Sequence, residues 1–133
     1  MVKYLKNFDM KVKKIKIDSD GEQLKVKLTF IGLIVASYEY MLFETNSNNI
    51  LENHKGNNQN PDDDNYLLPL PNNLNVGRIL DIKTNFVALD NLKFEKYKIT
   101  AELFQGNTKL GEVSDDGITS VDSQSSQLFI IIE

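Results

Sequence analysis

The chain has 133 residues, 41% of them hydrophobic, and a formal net charge of −4. This length and composition suffice for one domain with its own core, so a single domain over residues 1–133 is predicted. The chain has no cysteine, which excludes disulfides, thiolate catalysis and thiolate metal sites. No apolar run approaches the roughly 20 residues of a membrane-spanning helix, so no membrane span is predicted.

Charge is unevenly distributed along the chain. Residues 1–27 carry eight lysines and four acidic residues, so the remaining 106 residues hold a net charge of −8. The lysines of residues 11–17 alternate with apolar residues, as on a strand with one face in water. Nucleic acid is not an expected partner, because the sequence pI is about 5.0 and there is one arginine.

The first residues lack the apolar core and the small-residue cleavage site of a secretory signal. A cytoplasmic location and export by a non-classical route are therefore the two expectations for this sequence.

The first three predicted strands follow one another closely. Residues 10–18 form one strand, and Gly21 lies in the turn after it. Residues 24–30 alternate between apolar and polar side chains, which is typical of a half-buried strand. Residues 35–44 are more continuously apolar, which favours a central strand covered on both sides. A helix over residues 33–43 is the competing interpretation.

A short strand at residues 50–53 precedes one long loop, residues 54–77. Two of its three prolines, Pro69 and Pro71, lie at residues 69–71 and cannot donate backbone hydrogen bonds, so residues 67–70 can form only an edge segment or an extended strap. We expect their leucines and Tyr66 to close one open side of the fold. A loop of this length is often functional.

The second half of the chain repeats the pattern of strands and turns. Further strands are predicted at residues 78–89, 97–105, 109–113 and 128–133, the last of them apolar on both faces. Seven to nine strands without a convincing helix predict an all-β fold: a two-sheet antiparallel β-sandwich of immunoglobulin-like type.

The long loop contains the main candidate binding residues. It holds a cluster of oxygen-bearing side chains: Asn60, Asp62, Asp63, Asp64 and Asn65. Calcium needs several oxygen ligands, but adjacent side chains seldom converge on one ion, and a solvated loop has the same composition. No metal and no cofactor are therefore assigned. Together with Tyr66 the cluster also suits a carbohydrate-binding module, calcium-dependent or not, although the chain has no tryptophan.

Arg78, the only arginine, follows Gly77 at the start of a predicted strand. The planar guanidinium suits partly buried ion pairs, so we expect it to pair with a carboxylate and tie the loop to the sheet. Its functional alternative is an anchor for an acidic ligand.

No catalytic constellation is recognisable. The only histidine, His54, lies at the start of the loop, and the serines of residues 114–126 lack a nucleophile-elbow motif. A small hydrolase would require a pocket in which His54 meets a carboxylate. The leading hypothesis is instead a non-enzymatic module that binds a protein partner or itself, with a carbohydrate-binding module as the alternative.

Overall fold

A computed structural model describes residues 9–59 and 64–133, in which nine strands form two packed sheets. The strands are β1 (Asp9–Ile15), β2 (Leu24–Gly32), β3 (Ile34–Phe43), β4 (Ile50–Asn57), β5 (Asn65–Leu67), β6 (Ile79–Ala88), β7 (Lys96–Gln105), β8 (Thr108–Ile118) and β9 (Gln124–Ile132). The predicted β-sandwich is confirmed. The helical interpretation of residues 33–43 is wrong, because these residues contain β3.

The larger sheet has the strand order β1-β9-β6-β3-β4, and the smaller one has the order β5-β2-β7-β8. Every neighbouring pair is antiparallel except β1 and β9, which run parallel from Asp9 beside Ser126 to Ile15 beside Ile132. The sheets are thus antiparallel, as predicted, apart from this one edge. The immunoglobulin-like type stays a prediction.

The core lies between the sheets and is formed by alternate residues of the strands. On β2 the inward residues are Leu24, Val26 and Leu28, as their alternation predicts. The inward residues of the larger sheet include Tyr40, Leu42, Leu80, Ile82, Phe86, Leu128, Ile130 and Ile132. Because both sheets direct apolar side chains inward, burying this layer is the main source of stability.

The region 54–77 is more ordered than the predicted single loop. Its first residues belong to β4, which runs to Asn57, and β5 pairs with β2 through three residues. After β5, Leu68 enters the core with 1% of its surface exposed. A 3-10 turn at Asn72–Asn75 then leads to β6. Strand β5 is the outer strand of its sheet and includes Leu67, so the predicted edge segment at residues 67–70 begins at the end of this strand, and its other residues follow it.

Glycines on two strands make room for tyrosine rings from the neighbouring strand. Gly56 pairs with Tyr38, and a Cβ atom at position 56 would lie 2.4 Å from the tyrosine hydroxyl. Gly117 pairs with Tyr97 in the other sheet, where a Cβ atom would lie 2.8 Å from the hydroxyl. Both tyrosines are buried, so each glycine allows a ring to cover the adjacent backbone.

Removal of residues 128–133 is expected to abolish cooperative folding. Strand β9 lies between β1 and β6, so its loss would leave β1 without a strand partner, leave β6 paired with β3 alone, and remove three fully buried side chains. Circular dichroism melting checks this, and a soluble truncated chain with a cooperative transition would contradict it.

A matched pair of substitutions on β9 tests which of its faces supports the core. Ile130→Ala, at a fully buried inward position, should lower the free energy of unfolding by about 2–5 kcal/mol. Ile131→Ala, at the half-buried outward position beside it, should cost clearly less. Urea denaturation measures both, and equal losses would show that the outward face is packed as tightly as the core.

Candidate functional site on the outer face of the larger sheet

Three of the sequence-predicted binding residues lie outside the described part of the chain: Asn60, Asp62 and Asp63. Of the others, Asp64 precedes β5 and accepts a 2.7 Å hydrogen bond from the hydroxyl of Tyr38. That hydroxyl also shares a short hydrogen bond with the hydroxyl of Tyr66. Burial and the bond to Tyr66 raise the pKa of Tyr38, so this network holds a neutral phenol.

Tyr66 closes the side of the sandwich between β4 and β5, as predicted. Its ring stacks on Tyr40 with the ring centroids 4.6 Å apart, and on His54 at 4.7 Å. Tyr40 is fully buried, and burial raises its pKa. Since Tyr66 is in contact with two aromatic residues of the larger sheet, it is part of the scaffold. The carbohydrate-binding and calcium-binding roles of the loop stay predictions.

His54 lies on β4 with 44% of its side chain exposed, and its Nε2 atom is 3.7 Å from Oε1 of Glu52. The histidine thus meets a carboxylate at the surface while its ring stacks on Tyr66. Three of the serines considered above, Ser114, Ser120 and Ser125, form their hydrogen bonds elsewhere. The described contacts therefore do not join His54 to one of these hydroxyls.

Arg78 is 8% exposed and forms the predicted ion pair. Its Nε and Nη2 atoms donate to the two carboxylate oxygens of Glu44, at 3.1 and 3.2 Å. Nη1 donates to Oδ1 of Asn75, whose own amide donates to the carbonyl of Pro69. The prediction that Arg78 ties the loop to the sheet is confirmed. The bond from Arg78, followed by the one from the Thr45 amide, lowers the pKa of Glu44.

The outer faces of the two sheets differ in chemistry. That of the smaller sheet is charged: Lys109 forms ion pairs with Glu102, at 3.2 Å, and with Glu112. Its apolar residues are isolated, and the Lys25 ammonium group lies 5.4 Å from the centre of the Phe104 ring. This face is therefore suited to contact with water.

The outer face of the larger sheet carries two cross-strand rows rich in apolar residues. The register places Lys14, Ile131, Ile79, Phe43 and Ile50 side by side in one row. The second row consists of Val12, Phe129, Asp81, Met41 and Asn53. We call the seven apolar members of these rows the apolar patch: Val12, Met41, Phe43, Ile50, Ile79, Phe129 and Ile131.

The patch is exposed at its two ends, where 53% of Val12 and 49% of Ile50 is accessible. Beyond the second row the sheet becomes mostly polar, with Met10, Gln127, Lys83, Glu39 and Lys55 in the next row. A shallow depression of about 320 Å³ lies here, partly lined by Glu39, Lys55 and Lys83. The face thus combines an apolar area with a polar rim, the usual anatomy of a protein-binding surface.

Asp81 is the only acidic residue within the two rows, and the one cation, Lys14, lies at the β1 end of the first row. It is 4% exposed, and Nε2 of Gln127 donates to its Oδ1 atom at 2.9 Å. Burial raises the pKa of the Asp81 carboxyl, while Gln127 and Lys83 oppose that rise. Among the described residues Asp81 forms no ion pair.

Sequence reasoning missed Asp81. The strand at residues 78–89 was predicted, but no local pattern marks which residues of other strands lie beside it. Asp81 and the apolar residues around it come from five strands, so only the register brings them together.

Within residues 9–59 and 64–133, no group of three acidic or histidine side chains could hold a metal ion. No helix in these ranges is long and apolar enough to cross a membrane.

Comparisons with protein-family models, with curated proteins and with solved structures found no match for this chain.

Arg78→Met should lower the free energy of unfolding by about 1–3 kcal/mol, because it leaves buried polar groups of the loop unsatisfied. Lys96→Met provides the control, since this cation lies exposed on β7 and its loss should change stability by less than about 0.5 kcal/mol. Urea denaturation checks both. Equal stability of the two variants would remove the structural role of Arg78.

Asp81→Asn should stabilise the protein at pH 7. Because the folded-state pKa of Asp81 is raised, the folded state binds more protons than the unfolded state. Stability therefore falls as pH rises from the ordinary carboxyl pKa through the raised value. The asparagine variant keeps an acceptor for Gln127 and removes this loss, so its advantage should disappear at pH 3.

Thermal melts at both pH values measure this effect, with Asp116→Asn on the exposed outer face of the smaller sheet as the control. An Asp81→Asn variant that is less stable than the wild type at pH 7 would contradict the prediction.

Proposed function

We propose that this protein is a non-enzymatic interaction module that binds another protein through the apolar patch. The observation that supports this proposal is the contrast between the two outer faces. One carries lysine–carboxylate pairs, and the other carries two rows that are mostly apolar. Contiguous apolar patches with polar rims on otherwise solvated proteins usually serve interaction.

The composition of the patch supports the same proposal. Phe43, Phe129 and Met41 lie toward its middle, and aromatic residues and methionine are enriched at the centres of protein interfaces. A sheet face also offers a rigid surface, since each patch residue is held by a strand that pairs on one or both sides. Binding would then cost little conformational entropy, because the backbone of the patch is already ordered.

A different protein fits this face better than a second copy of the chain. In a two-fold dimer centred on the patch, each copy would bring its own Asp81 toward the other. Two buried carboxylates in one interface repel each other and lose their hydration. Self-association is therefore the alternative that the experiment must distinguish.

The double substitution Val12→Lys with Ile50→Lys tests the proposal, because it places a charge at each exposed end of the patch. The matched control is Ile31→Lys with Ile118→Lys, which changes two equally exposed residues on the smaller sheet by the same charge. Both variants should melt as the wild type does. A protein that co-purifies with the wild type from the source cells should be lost at least about tenfold with the patch variant only.

Binding of the purified partner to each variant by calorimetry completes the test. Equal binding by the patch variant and the control would refute the proposal. Light scattering that gives the wild type a mass of twice 15.2 kDa, and the patch variant a single chain's mass, would replace the partner with a second copy.

A further inference from the structure

We infer that the partner places a basic group, a guanidinium or an ammonium, against Asp81 at the centre of the apolar patch. This inference rests on the proposed function and names the chemistry of what binds there. Its basis is the position of a single carboxylate among apolar neighbours on a sheet face.

Asp81 is enclosed on its own face of the sheet. Its cross-strand neighbours are Phe129 on β9 and Met41 on β3, and the same face of its own strand presents Ile79 and Lys83 on either side. Met41 is 6% exposed, so the surroundings of the carboxylate are already poor in water. A partner that covered the patch would remove what water remains.

The carboxylate has few partners for its charge. Within the described ranges, the neutral amide of Gln127 is the one group hydrogen-bonded to it, although an ionised carboxylate can accept about four hydrogen bonds. Lys83 attracts it from outside ion-pair distance, while Glu39 repels it. The cost of burying this charge further would fall sharply only if a cation accompanied the covering surface.

A guanidinium or ammonium from the partner meets this requirement. Its N–H groups would donate to the free lone pairs of Asp81, and its aliphatic stem would lie on Phe129 and Met41. A neutral apolar surface would instead leave Asp81 buried and uncompensated. The carboxylate would thus select among apolar partners in favour of one that carries a basic residue.

The alternative role of Asp81 is to keep the apolar face from non-specific association, as isolated charges do on exposed strands. In that case a cation on the ligand would give no advantage. The two roles therefore predict different ligand preferences at the same place.

The test uses two small probes with equal alkyl chains, hexylguanidinium and hexylurea, and ¹⁵N-labelled protein observed by NMR. We expect both to shift amides of β3, β6 and β9 around Asp81, with hexylguanidinium binding about tenfold more tightly, as a charge-assisted hydrogen bond in a dry site predicts. In Asp81→Asn this preference should vanish while hexylurea still binds. In the control Asp116→Asn the preference should remain.

Equal affinity of the two probes in the wild type, or a preference that persists in Asp81→Asn, would overturn the inference and leave the proposed function standing. If neither probe shifts amides around the patch, the patch itself fails as a binding surface, which counts against the proposed function. A preference confined to the Asp81 carboxylate supports the inference.

Discussion

The two sheets pack through one face each, and the rest of the structure depends on this constraint. Side chains of a strand alternate between faces, so a sandwich buries half of the positions in each sheet and leaves the other half outside. The smaller sheet follows the pattern with charged residues outside. The larger sheet has a second set of apolar residues there. Packing among residues 9–59 and 64–133 does not account for that set, which is why the outer face is the candidate site.

Strand β9, which is rich in apolar residues, contributes to both the core and the apolar patch. Strand β9 contributes Leu128, Ile130 and Ile132 to the core and Phe129 and Ile131 to the apolar patch. Pairing on both edges, with β1 and with β6, protects its backbone from foreign strands. One short segment therefore supports folding with one face and the proposed binding surface with the other. Along this strand, residues of the core alternate with residues of the apolar patch.

Alternation in the sequence was sufficient to predict the sandwich, because residues 24–30 and the inward positions of β6 follow a period of two. The proline-containing loop separately predicted that Tyr66 closes one side of the sandwich. The chemistry of the guanidinium predicted that Arg78 ties the loop to the sheet. The parallel partner of β1 and the patch around Asp81 could not be predicted in the same way. Both depend on strand order and register, which join residues far apart in the chain and leave no local pattern.

Gly56 has a consequence for the patch that lies on the opposite face of its strand. Because the Tyr38 ring occupies the space beside residue 56, a slip of β4 by one residue would bring the side chain of Lys55 or Asn57 against that ring. The absence of a side chain at one inward position thus fixes the alignment of the outermost strand. The same alignment, after the irregularity beside Leu42 and Phe43, sets Ile50 at the end of its row. The smallest residue of β4 in this way determines where the exposed surface of the sheet ends.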